Sequence, residues 1–294
     1  MELFRALAVL AEPPDRAGAA RVAEALGLGE LPGASEYADV FVFRLYPYAS
    51  VYAGPEGMMG GAARDRVAGF LAALGHEVPG EPDHLALLLG AYARLAEAEG
   101  AARDERGRES WRGARRAFLW EHLLSWLPVY LDKLDRVAPP FYRRWGETLR
   151  AALDAEAAEL GAPGALPLHL REAPTMADPR AASSEEFLKS LLAPARSGVI
   201  LLRDDIARAA RESGYGVRAG ERLFALRSLV GQDAPGTLSR LASEADAWRA
   251  LHLRRRDAHG AVADWWAGRA NATARLLREL AAEAEAAEAT KDGG

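Results

Sequence analysis

Apolar positions recur at three- and four-residue intervals along most of this 294-residue chain, which predicts helix after helix. Leu3, Leu7 and Leu10, then Val22 and Leu26, give two short helices within residues 1–29, parted by the stop Glu12-Pro13-Pro14-Asp15. A helix over 62–74 closes at Gly75, and Pro79-Gly80-Glu81-Pro82-Asp83 presents Asp83 as N-cap of a helix reaching about Glu99, with Leu85, Leu88, Leu89, Tyr92 and Leu95 on one stripe. Residues 100–113, charged and Gly-containing, read as a loop. Phe118, Leu119, His122, Leu123, Trp126, Leu127, Tyr130 and Leu134 then predict one helix over 114–137, kinked at Pro128, followed by another over 141–160.

The stretch Tyr37 to Tyr52 is ambiguous: Phe41, Phe43, Leu45, Tyr46, Tyr48 and Val51 fit a strand or a packed aromatic helix and loop. Residues 161–180 hold four prolines and read as a linker. Beyond it, helical patterns cover 184–192, 203–213, 222–230, 234–250 and 261–280. The expected organisation is a helical domain over 1–174 and a helical C-terminal region over 175–294 with a fraying acidic tail.

Composition sharpens the fold class. Ala supplies 63 positions against 2 Ile, 13 Val and 5 Thr, so helix formers far outnumber β-branched residues and an all-α bundle is expected. With no Cys, disulfides, thiolate metal sites and cysteine nucleophiles are excluded. The net charge of −5, spread along the chain, implies no basic field for nucleic acid or anionic lipid. Met1 to Leu10 is too short and too weakly basic for a secretory signal, and no window approaches the roughly 20 apolar residues of a membrane span, so a cytoplasmic protein is expected.

Catalytic templates fail: the chain has no nucleophile elbow, no His-Glu-x-x-His pair and no phosphate loop with its Lys. Glu81, Asp83 and His84 form the most suggestive cluster, as an acid/base or metal corner of a helical hydrolase or transferase, or as structural residues of a helix start. Glu121-His122 is a second ionisable pair on an apolar stripe. Tyr46, Tyr48, Tyr52, Tyr92, Trp120, Trp126 and Tyr130 are core residues or the lining of a groove for a partner's hydrophobic segment.

The segments Glu81-Pro82-Asp83-His84-Leu85-Ala86-Leu87-Leu88-Leu89 and Phe118-Leu119-Trp120-Glu121-His122-Leu123-Leu124-Ser125-Trp126-Leu127-Pro128 resemble those of the TorD/DmsD/NarJ family of molybdoenzyme chaperones. Tyr46-Pro47-Tyr48-Ala49-Ser50-Val51-Tyr52 and the turn Gly57-Met58-Met59-Gly60-Gly61 fit in the same order, and the likeness covers about residues 1–160. It implies an all-helical fold, no catalysis, no cofactor or metal of its own, and a groove that binds the twin-arginine leader of a molybdoenzyme catalytic subunit while molybdenum cofactor is inserted. It implies a monomer or homodimer. By resemblance Asp83 and His84, with Glu81 and Pro82 beside them, serve the leader, and Glu121, His122, Trp126 and Pro128 lie near the same groove. Tyr48, Tyr52 and Tyr92 complete the expected set. Ala49, where an acid is common, and Gly90, where a larger residue is expected, depart from the pattern. The region after 175 looks like the extension of longer members, a docking module or a cover for the groove. The alternative is a helix-turn-helix DNA-binding regulator through residues 203–230.

Overall fold

The computed structural model describes residues 1–216 and 220–292. Residues 217–219, which the helix-turn-helix expectation includes, lie outside the described residues, as do 293–294. Among those described the chain is all α, with seventeen α-helices, two π-helical segments and no strand.

The chain groups into two compact units. The first comprises Met1–Gly54, Met58–Glu172 and Asp257–Val262; the second Pro55–Gly57, Ala173–Arg256 and Ala263–Gly294.

In the first unit the helix Leu85–Gly100 packs on Glu2–Leu10 and on Glu105–Phe118, while Pro140–Leu160 packs on Leu127–Val137 and Glu2–Leu10. The core holds Trp126, Trp145, Tyr92, Tyr130, Tyr142, Phe41 and Phe118, all fully buried. Buried indole and phenol groups find backbone acceptors: Trp145 Nε1–H donates to Leu7 O (3.1 Å) and Trp126 Nε1–H to His122 O (2.9 Å).

Of the loop expected over 100–113, only residues 101–104 are non-helical. A helix, Glu105–Phe118, starts at Asp104, whose Oδ1 accepts the Gly107 N–H at 2.7 Å. Apolar periodicity misses it because Arg115 and Phe118 are its buried residues. The capping Asp104 and the Glu105–Arg108 pair three residues apart carried the signal. Pro128 does not kink a long helix; it opens a new one, Leu127–Val137, in the first turn, where a missing N–H costs nothing. The preceding Leu119–Leu124 is π-helical. The ambiguous stretch is helical over Ala34–Tyr37 and π-helical over Ala38–Arg44, and turns helical again at Ala49–Ala53 after an extended link. The expected linker contains a short helix, Leu168–Glu172, with His169 and Leu170 buried.

In the second unit Arg203–Glu212, Arg222–Gln232 and Ala234–Leu253 pack in series, and Ser184–Leu191 lies on Arg222–Gln232. Ile206, Leu226, Leu241, Trp248 and Trp266 supply the core. Arg208 and Arg227, on the two helices of the helix-turn-helix expectation, are paired with Asp205 (3.1 Å) and Glu185 (3.0 Å).

Candidate functional site

Two separated stretches of the first unit, 46–50 and 81–85, meet side by side. Leu85 N–H donates to Pro47 O (2.8 Å) and Ala49 N–H to Asp83 O (3.0 Å), giving an isolated antiparallel bridge between Tyr48 and His84. Asp83 is not the cap of the following helix. Its side chain, in a residue only 2% exposed, accepts the Ser50 N–H at 3.0 Å and so caps the start of Ala49–Ala53 from across the bridge. His84 takes the capping role for Leu85–Gly100, with Nδ1 accepting the Ala86 N–H at 3.2 Å. Burial lowers the His84 pKa against the opposing pull of Glu12, Glu81 and Asp83, which fits a neutral ring with Nδ1 free to accept.

Glu81 is exposed and accepts the Tyr48 hydroxyl at 2.7 Å, while Pro82 is buried. The Tyr48 and His84 rings meet edge-on at 5.0 Å. Burial, then the bond to Glu81, raises the Tyr48 pKa well above that of a free phenol, so it remains a donor. Behind this rim Tyr52 stacks on Trp126 (5.3 Å), and both meet Tyr130 edge-on. Tyr52 O–H donates to Tyr46 O at 3.0 Å, tying the rim to the aromatic cluster. Just before the 46–50 stretch in the chain Val42 and Phe43 are exposed, as is Tyr46, with Phe43 exposed by 73%. Val42 and Phe43 were missed as site candidates because burial is the default expectation for apolar side chains; only the structure shows which of them stay outside.

The remaining expected residues lie elsewhere in the unit. Tyr92 donates to Glu156 within a buried cluster in which Arg115 also bridges Glu99 (2.8 Å) and Glu156. Arg115, Glu99 and Glu156 were not legible as a set, since they stand on three different helices. Glu121 is half-buried and accepts the Leu168 N–H at 2.7 Å; burial raises its pKa against that bond and the pull of Arg171 and Arg66. His122 packs among Phe70, Phe118 and His169, and Arg66 reaches His169 Nδ1 (3.1 Å) and Glu172. The segment before the short helix is held as well: Trp120 Nε1–H donates to Gly161 O at 2.9 Å. Pro128 is buried at the first turn of its helix. The rim is thus Tyr48, Glu81, Pro82, Asp83 and His84, backed by Tyr52 and Trp126. Tyr92 belongs to the ion cluster, and Glu121 and His122 to the seat of the 161–172 segment. No group of three or more metal-ligating side chains occurs among the described residues.

That seat is expected to be acid-sensitive. Burial, reinforced by His169 and Arg66, lowers the His122 pKa to about 3; burial and Arg66 lower that of His169 to about 4. Both folded values lie below the ordinary 6.5, so their contribution is complete above that pH and is lost as pH falls toward 4. The expected result is a fall in stability over that window with a slope of up to about 1.4 kcal/mol per pH unit for each imidazole. His169→Gln should flatten the profile in urea titrations at pH 7, 6 and 5; an unchanged slope would remove His169 from this account.

Residues 12–132 match the family described as nitrate reductase delta subunit. The chain is similar to the chlorate reductase assembly chaperone protein of Ideonella dechloratans, 37% identical over 81 residues, and to the selenate reductase assembly chaperone protein of Thauera selenatis, 38% identical over 81 residues. Each alignment covers 27% of this chain and 42% of the relative, so the chain spans less than half the length of the curated relatives it matches. The matched residues 12–132 contain all four motif segments that resemble the molybdoenzyme chaperones. Every expected site residue, from Tyr48 to Pro128, lies inside that segment. No helix among the described residues is long and apolar enough to cross a membrane.

Proposed function

We propose that this chain is a cytoplasmic, non-catalytic assembly chaperone for a molybdoenzyme catalytic subunit, binding its twin-arginine leader, its apo form or both until molybdenum cofactor is inserted. The observation that carries the reading is the family match over residues 12–132, whose relatives are assembly chaperones of chlorate and selenate reductases. The geometry supports one division of labour at the rim. Glu81, exposed and oriented by Tyr48, is the carboxylate for a leader arginine, which it can take in two parallel N–H···O bonds. Phe43 and Tyr46 offer apolar surface to the leader's hydrophobic stretch. Asp83 and His84 act through the backbone, holding 46–50 against 83–86, with Tyr52 and Trp126 as the packed support. A leader that also used Glu121 and His122 would have to displace the 161–172 segment from them. Tyr92 and Pro128 serve the fold that carries the rim.

Glu81→Gln removes the charge and keeps an acceptor for Tyr48. It is expected to weaken a fluorescent leader peptide about tenfold, the loss of one charge-assisted pair, with the melting temperature unchanged. Equal affinity in the folded variant would take Glu81 out of the site. The role itself is tested by affinity purification of the tagged protein from anaerobic host cells: a molybdoenzyme catalytic subunit should co-elute, and its yield should fall when its twin-arginine leader is deleted. Recovery of no such subunit under any electron acceptor would overturn the reading.

A further inference from the structure

The second unit contains a cavity of about 280 Å³ whose lining includes Thr175, Met176, Arg196, Arg269, Thr273 and Leu276. Three consecutive carbonyls fix its two inner guanidinium groups. Arg196 Nε–H donates to Thr175 O at 3.0 Å, and Arg269 donates to Pro174 O at 2.8 Å and to Ala173 O at 2.5 Å. Arg269 also lies over the Trp265 ring, 4.7 Å from its centroid.

The charges around the cavity are unevenly matched. Its acids, Asp178 and Glu279, are both held by Arg180, each at 3.3 Å, and Arg180 further binds Glu283 at 2.7 Å. Arg275 shares Glu279 at a looser 3.9 Å. Arg196 and Arg269 have no carboxylate within 4.0 Å among the described residues. Burial, and then repulsion from Arg196, push the Arg269 pKa below its ordinary value. Two neighbouring half-buried cations without a counterion oppose folding, and charges kept in that state concentrate at binding sites. Tethering residues 173–175 does not require them to be this numerous: Arg196 gives the chain only its Nε–H, leaving both terminal nitrogens of a cavity-lining side chain without an acceptor.

We propose that this cavity binds a small organic phosphate, its phosphate oxygens taking the free N–H groups of Arg196 and Arg269 and its apolar part lying against Met176 and Leu276. A phosphate monoester offers three terminal oxygens and suits two forked donors, whereas a lone carboxylate satisfies only one. The volume sits just below the usual range for ligand pockets, about 300–1,000 Å³, which selects a compact molecule over a dinucleotide or a peptide segment. None of its residues belongs to the rim, and the proposal does not depend on the chaperone reading.

The test is isothermal titration of the full chain at fixed ionic strength with inorganic phosphate, phenyl phosphate and benzoate. Phenyl phosphate should bind saturably at one site, more tightly than inorganic phosphate because of the apolar wall, and benzoate more weakly than either. Arg196→Gln should lower phenyl phosphate affinity about tenfold or more while the melting temperature holds. Arg269→Gln should do the same, and if it also destabilises the unit, Arg196→Gln alone decides. The proposal is overturned by no saturable binding of either phosphate up to about 10 mM, by binding that survives Arg196→Gln, or by benzoate binding as well as phenyl phosphate.

Discussion

Replacing Arg115 with methionine is expected to lower the stability of the first unit by about 3–5 kcal/mol, the cost of stranding buried charge when one partner of an internal ion cluster is removed. Arg115 is 5% exposed and ties Glu99, on Leu85–Gly100, to Glu156, on Pro140–Leu160, with the Tyr92 hydroxyl closing the cluster. Methionine fills the space but leaves two buried carboxylates with Arg112, 3.2 Å from Glu99, as the remaining cation. The pH dependence separates this cause from lost packing. Burial alone would raise the Glu99 pKa, yet hydrogen bonds from Arg115 and Arg112 hold it below the ordinary 4.5. In the native protein Glu99 therefore stabilises above that pH, and the contribution is lost as pH falls through its depressed pKa. In the variant Arg112 alone opposes burial, so the Glu99 pKa is expected to rise from its native value and the penalty to be greatest at neutral pH and to shrink on acidification. Urea titrations at pH 7 and pH 5 should show the gap narrowing; a constant gap would mean that packing, not charge, was lost. Arg112→Ala, at a partly exposed position, should cost about 1 kcal/mol or less.

The second large effect is expected at Gly198, whose φ of +76° ends the helix Pro194–Ser197. A Cβ there would stand 2.3 Å from Ala270 N and 2.9 Å from Ala270 Cα, backbone that cannot yield without shifting the long helix Ala261–Asp292. The glycine carbonyl also receives His252 Nε2–H at 2.8 Å, a tautomer set by Arg255 donating to Nδ1 at 2.9 Å. Gly198→Ala thus combines a left-handed backbone, about 1–2 kcal/mol, with overpacking of about 1–3 kcal/mol. Gly214 supplies the control: its φ is also +76°, but nothing lies within 4 Å of the added carbon. Gly214→Ala should therefore carry the backbone cost alone. Thermal unfolding of the two variants side by side would show it, and equal losses would mean that the contact with Ala270 relaxes freely.

Much of the helical framework was readable because local rules suffice to write it. The stripe Leu85, Leu88, Leu89, Tyr92 and Leu95 is buried along Leu85–Gly100, and Gly75, at φ +74°, ends Gly61–Ala73. Where local patterns failed, the buried element was not apolar or the backbone was not α-helical. Glu105–Phe118 hides an arginine, and the two π-helical segments over 38–44 and 119–124 have a period that a 3.6-residue search does not register.

The sequence by itself determined the all-α class, the register of most helices, and the motif segments that carry the resemblance, because spacing, capping residues and the shortage of β-branched residues act over a few positions. Only the tertiary structure decided what each polar side chain does. Asp83 and His84 are adjacent in the chain, yet one caps a helix across the bridge and the other caps its own. Glu81 and Glu121 are both acids of motif segments, yet one faces solvent beside Tyr48 and the other is taken up by Leu168. Arg115 gains three carboxylates, Glu99, Glu156 and Glu159, each more than ten residues away, and Arg196 and Arg269 gain none. A charge is stabilised or stranded by whatever long-range packing brings within about 4 Å of it, and that distance is not written in the local sequence.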